Sequence, residues 1–159
     1  MDKIKYSTIP RYSLKLVKEK SIRYPLNRVM NSNQAEVVAR AYLEDKDCEH
    51  LIMLMLDNQN NLIGVHTVAI GGISGLQVAI SDMYRHAIAA RAHAWICSHN
   101  HPSGDVNPSQ MDIDLTVRLH ETGKLLGIPI VDHLIVSSGL NPGVYSFFQH
   151  RLIFNQYDG

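Results

Sequence analysis

The chain of 159 residues is short of cysteine, of long apolar runs and of net charge, and each shortage excludes something. Two cysteines, Cys48 and Cys97, make no disulfide framework and fit a reducing cytoplasm. The longest uninterrupted apolar run, Leu51 to Leu56, is too short to cross a bilayer. The basic N-terminus lacks the apolar stretch of a signal peptide, so a cytoplasmic location is expected. Internal repeats, low-complexity tracts and an interdomain linker are also missing. The length suits one domain, and 45% apolar residues suffice for a single core.

The zero net charge conceals an asymmetry. Residues 1–28 carry eight Lys/Arg against Asp2 and Glu19, whereas residues 29–159 carry seven against thirteen Asp/Glu. The expected organisation is a basic arm, 1–28, ahead of a domain, 29–155. Such an arm can contact nucleic acid or an acidic partner, or lie across its own domain or a sister subunit. The apolar hairpin described below and the long arm leave a homodimer open.

What is present is concentrated in Ser98 to Asp112, SHNHPSGDVNPSQMD. His99, His101 and Asp112 stand in a His-x-His-x(10)-Asp spacing. Two imidazoles and a carboxylate form a three-ligand set for zinc that leaves one tetrahedral position open, as a catalytic zinc requires. The preceding Ala92 to Ile96 reads as a buried strand, and residues i and i+2 of a strand point to one side. His99 and His101 therefore leave its end aimed at one point. Cys97 shares that parity, either as an alternative thiolate ligand or as an inert core cysteine. Gly104, Asn107 and Pro108 make a loop. Ser109 then caps a helix with Asp112 at its third position, where the helix dipole favours a carboxylate. Gly127 is a stop signal.

The remainder reads as an α/β order. A helix is expected over 33–44, with Asn33 and Glu36 as a capping pair, then a hairpin of strands 49–57 and 62–70. A loop from Gly71 and Gly72 leads to a helix over about 80–91, capped at Ser81-Asp82. After the Ser109 helix come a strand over 128–137 and a short one over 144–148. Residues 155–159 are expected to fray.

The Ser98–Asp112 segment resembles the metal motif of the JAMM/MPN+ (JAB domain) metalloprotease superfamily, and within it the RadC-like branch, in which His-Asn-His-Pro-Ser-Gly-Asp is the hallmark. Leu56-Asp57, Leu62-Ile63-Gly64, Gly71, the start of the helix at Val78 to Arg85, Thr116, Leu126-Gly127-Ile128, Asp132-His133-Leu134-Ile135-Val136 and Tyr145-Ser146-Phe147 read the same way, so the resemblance covers about residues 25–150. It implies a cytidine-deaminase-like MPN/JAB fold, a mixed β-sheet flanked by helices. It also implies a zinc-dependent hydrolase cleaving an amide or isopeptide bond of a peptide or protein, with a serine at the position of Ser109 stabilising the oxyanion. Many RadC-like proteins carry a helical N-terminal region with a DNA-binding hairpin. The 28 residues ahead of this domain leave no room for one, so a short form is expected, and a DNA-repair role would fall to the basic arm.

One departure stands out. The pattern requires an upstream glutamate on a strand as general base. Alignment on Leu62-Ile63 and Gly71 puts that position at His66, and the glutamates at 36, 44 and 49 fall too early. His66 is then a substitute base, a fourth ligand that closes the site, or a polar residue of a half-exposed strand. A metal-binding but inactive module is the corresponding alternative function. Asp132 and His133, at the head of a strand, are candidates either for contacts that orient a ligand imidazole or for plain strand-end packing.

Overall fold

The structure is a computed structural model that describes residues 8–21, 23–24, 26–71, 78–138 and 142–152. Gly72 of the expected loop, the tail 155–159 and the first seven residues of the arm lie outside these. Among the described residues five strands form one sheet: β1 (His50–Leu56), β2 (Leu62–Ile70), β3 (Ala94–Asn100), β4 (Ile130–Val136) and β5 (Val144–Ser146), in the order β2-β1-β3-β4-β5. All neighbours are antiparallel except β3 and β4, which are parallel, so the sheet is mixed. Three helices flank it: α1 (Ser32–Leu43), α2 (Ile80–Ala89) and α3 (Gln110–Leu126).

Strand parity divides the molecule. Ile52, Leu54, Leu56, Ile96, Leu134 and Val136 face α1, where Ala35, Val38, Ala39 and Leu43 supply an apolar stripe at helical spacing. Leu51, Met53, Met55, Trp95 and Cys97 face the other way, against Met83, Tyr84 and Ala87 of α2 and Leu115 and Leu119 of α3. Covered on both faces, β1 and β3 are buried at every position. The uninterrupted apolar character of Leu51 to Leu56 therefore belongs to a central strand. Among the described residues no helix is long and apolar enough to cross a membrane.

Two helix starts differ from expectation. Asn31 rather than Asn33 caps α1: its side chain accepts from Gln34 N at 2.9 Å, and Gln34 Oε1 accepts from Met30 N at 2.8 Å. α2 begins after Ala79 with no side-chain cap, which leaves Asp82 in its first turn. α3 follows expectation. Ser109 caps it in a capping box with Asp112, and Gly127 ends it at φ 69°, the left-handed conformation that glycine adopts without strain. The described part of the arm, 8–21, 23–24 and 26–28, forms no helix or strand apart from the single bridge of Arg28 to Asn61, and residues 8–21 are exposed throughout.

Candidate metal centre

β3 and β4 run parallel and are joined through α3, so the carboxyl end of β3 and the N-terminus of α3 meet at one edge of the sheet, where open α/β sheets place their ligands. His99 lies at the end of β3 and His101 just beyond it, where its N–H continues the pairing by donating to Val136 O at 2.8 Å. The chain then reverses at Gly104, whose φ of 88° suits a residue without Cβ. α3 turns Asp112 inward on the same face as Leu115, Thr116 and Leu119.

The result is convergence. His99 Nε2 lies 3.0 Å from His101 Nε2 and 3.3 Å from Asp112 Oδ1, and His101 Nε2 is 3.9 Å from Asp112 Oδ2. His99 and Asp112 are buried, whereas His101 keeps 18% of its side chain exposed, so the cluster opens to solvent on that side. Ser109 holds the carboxylate: its N–H and Oγ both donate to Asp112 Oδ2, at 2.7 and 2.6 Å.

Hydrogen-bond partners assign the tautomers. Thr116 Oγ1 donates its one proton to Asp112 O at 2.6 Å, so it accepts from His133 Nδ1 at 2.6 Å. His133 Nε2 is therefore bare and accepts from His99 Nδ1 at 3.0 Å, which leaves His99 Nε2 bare. His101 Nδ1 donates to the Asp105 carbonyl at 2.6 Å, so its Nε2 is bare as well. Two lone pairs and a carboxylate thus face one another with no proton assigned between them. A cation between them satisfies that arrangement, and the donor set fits a divalent metal. Phe147, stacked on His133 at 4.9 Å, holds the relay in place.

Burial also disfavours an extra proton there. Desolvation pushes His99 down to about 4, with Asp112 opposing the shift and His101 adding to it. Desolvation likewise takes His133 well below its ordinary value, reinforced by His99 and His101. An unfolded histidine titrates near ~6.5. Between that value and the folded ones the unfolded chain binds more protons, so the contribution is intact above ~6.5 and is lost as pH falls towards 4. Thermal unfolding of the metal-free protein is expected to show a melting temperature that falls across this window. A His133→Gln variant should show a shallower slope; equal slopes would contradict the assignment.

The structure adds a residue that the alignment passed over. Among the described residues, Glu49, His99 and His101 form a group whose donor atoms lie within 4.8 Å of one another and can hold a metal ion. The pairing explains it. Leu51 opposes His99 at the last pair of the β1–β3 ladder, and two residues beyond it on either chain stand Glu49 and His101, whose donor atoms lie within 4.8 Å of one another. The judgement that Glu49 falls too early is therefore corrected. The available signal was a lone carboxylate heading an otherwise apolar buried strand.

Two other candidates lie apart from the cluster. His66 lies on β2 opposite Met53, with β1 between it and β3, and stacks on His86 of α2 at 3.6 Å. It belongs to the β2–α2 contact and is not part of the cluster. Asp132 points to the α1 side of the sheet. It accepts from Ser32 Oγ and Ser146 Oγ, both at 2.7 Å, and from the N–H groups of His133 and Phe148, at 2.7 and 3.0 Å. It ties α1 to β4 and β5 and orients no ligand imidazole. Cys97 sits fully buried one step back along β3 in the core against α2 and α3, and burial raises its thiol far above the ordinary range.

A mixed sheet with this cluster at the carboxyl end of its parallel pair defines an α/β domain of the JAB/MPN class. The chain belongs to the RadC-like JAB domain family, whose model matches residues 29–152. Relatives include UPF0758 proteins from Bacillus licheniformis, 43% identical over 88 residues (55% of this chain and 39% of that protein), and Carboxydothermus hydrogenoformans, 38% over 107 residues (67% and 47%). Another, from Rubrobacter xylanophilus, is 33% identical over 143 residues, 89% of this chain and 61% of its own length. The chain thus spans about half the length of the curated relatives it matches.

Proposed function

We propose that the protein is a zinc-dependent hydrolase of the JAMM type, cleaving an amide or isopeptide bond with water. His99 Nε2, His101 Nε2 and Asp112 hold the zinc, and Glu49 rather than His66 is the general base. The observation that carries this reading is the convergence of two bare imidazole nitrogens and a carboxylate, with a second carboxylate at the solvent-open side. Zinc–nitrogen and zinc–oxygen bonds of about 2.0–2.2 Å in a tetrahedron imply donor separations of about 3.3–3.6 Å. The observed separations of 3.0, 3.3 and 3.9 Å bracket that range.

The metal supplies Lewis acidity, lowering the pKa of a water and polarising the scissile carbonyl. The chain's own residues supply the rest. The Glu49 carboxylate takes a proton from the attacking water and returns it to the leaving amine nitrogen. The Thr116–His133 relay keeps His99 in the tautomer that presents Nε2. Ser109 Oγ is engaged on Asp112, so a part for it at an oxyanion requires that hydroxyl to rotate away. The case for an inactive module rested on the want of a strand carboxylate, and Glu49 supplies one.

The test is to measure metal content and peptidase activity of the purified chain against a panel of peptides and Lys-ε-linked isopeptides. One zinc per chain is expected, with turnover abolished by chelation and restored by zinc. One zinc per chain with no turnover would favour the inactive module instead, and absence of metal would sink both.

A further inference from the structure

We infer that Asn100, between the two histidines, is a positioning residue that sets Glu49 against the cluster by gripping the backbone on both sides of it. The inference rests on the metal reading above and concerns how its second carboxylate is held.

The ladder between β1 and β3 ends at the Leu51–His99 pair, two residues short of Glu49. Beyond it, His101 N–H is committed to β4 through Val136 O. Main-chain pairing to β3 therefore does not hold residues 48–50, and the Asn100 side chain takes its place. Asn100 Oδ1 accepts from His50 N at 2.7 Å, and Asn100 Nδ2 donates to Cys48 O at 2.9 Å. The orientation of the amide is unambiguous, because a backbone N–H can only donate and a carbonyl can only accept. On the opposite side Gly71 N donates to Glu49 O at 2.8 Å, so the segment is clasped between the ends of β3 and β2.

Parity makes the clasp effective. Asn100 and His50 project to the α1 face, while His99, His101 and Glu49 belong to the opposite one. The amide thus fixes the Glu49 backbone from behind without occupying the site. A planar primary amide of this length acts as donor and acceptor in one plane. An ionised aspartate lacks the donor, and glutamine is one methylene too long. Asn100 is itself 3% exposed, so both bonds are shielded from water.

The test is a double-mutant cycle on zinc affinity in the full chain, using a competing chelator. Glu49→Gln removes a negative charge beside the metal, and Asn100→Ala releases the residue that carries it. Each is expected to weaken zinc on the order of tenfold, the scale of groups that support a metal from outside its ligand set. The double variant should be no weaker than about twofold below the weaker single one, because both act through one group. Independent, multiplying losses, or an Asn100→Ala variant that lowers the melting temperature but keeps wild-type affinity, would overturn the inference while leaving the metal reading intact. Failure of the wild type to bind zinc would overturn both. Should Asn100→Ala not fold, wild-type NMR decides: a scalar coupling across the His50 N–H to Asn100 Oδ1 bond is expected, and its absence refutes the clasp.

Discussion

Asp112→Ala is expected to abolish the proposed zinc binding and also to destabilise the metal-free protein. The two losses share one oxygen. Asp112 Oδ2 accepts from Ser109 N and Oγ and faces His101, and Oδ1 faces His99. Truncation removes one of the three proposed ligands, and the Glu49 carboxylate left beside the imidazoles is assigned to the proton rather than to the metal. It also removes the Asp112 half of the capping box of α3 and returns the donors of the exposed Ser109 to water, together at a cost of about 1 kcal/mol. In a domain of this size each kcal/mol shifts the melting temperature by roughly 2–4 °C, so the apoprotein should melt lower by about that much. Ser109→Ala separates the effects: it loses the cap, at about 1 kcal/mol, while zinc stays at one per chain. Metal analysis and thermal unfolding of both variants give the answer. An Asp112→Ala protein that still retains one zinc would end the proposed ligand assignment.

Glu49→Gln is expected to lose about 10²- to 10⁴-fold in turnover, measured on the peptide or isopeptide that the wild type cleaves and at zinc concentrations that keep the site filled. Glutamine preserves shape but cannot accept the proton. His66→Ala serves as the opposing control. Its ring stacks on His86 with β1 between it and the cluster, and desolvation together with His86 lowers its basicity. The expected change in turnover is less than a few-fold. The reverse pattern, with His66→Ala inactive and Glu49→Gln active, would restore His66 as the base.

The contrast between these residues explains how far the site could be read in advance. His99, His101 and Asp112 lie within fourteen residues, and their convergence follows from local rules: a period of two at a strand end, a glycine turn, and a capped helix with its third residue turned inward. Ser109 and Gly127 behaved as their chemistry demanded. The misreading of Glu49 arose because motif alignment does not say which of two hairpin strands borders β3. β1 does and β2 is the edge, so a carboxylate at the head of β1 reaches the cluster whereas His66 on β2 does not. The caps of α1 and α2 were misplaced by about two residues, a shift that the helical stripes tolerate.

Order in the chain alone therefore decided the α/β alternation, the strand–loop–helix unit and the convergence of His99, His101 and Asp112, since all of these depend on neighbours close in sequence. Tertiary packing decided the rest. It chose the face for Asp132 and His133, joined Thr116 to His99 through His133, and brought in Glu49 from fifty residues upstream of His99. The reason is register. A slip of one residue turns every side chain of a strand to the other face, and only simultaneous burial of both faces of β1 and β3, summed over the whole sheet, selects the pairing that brings Glu49 beside His99 and His101.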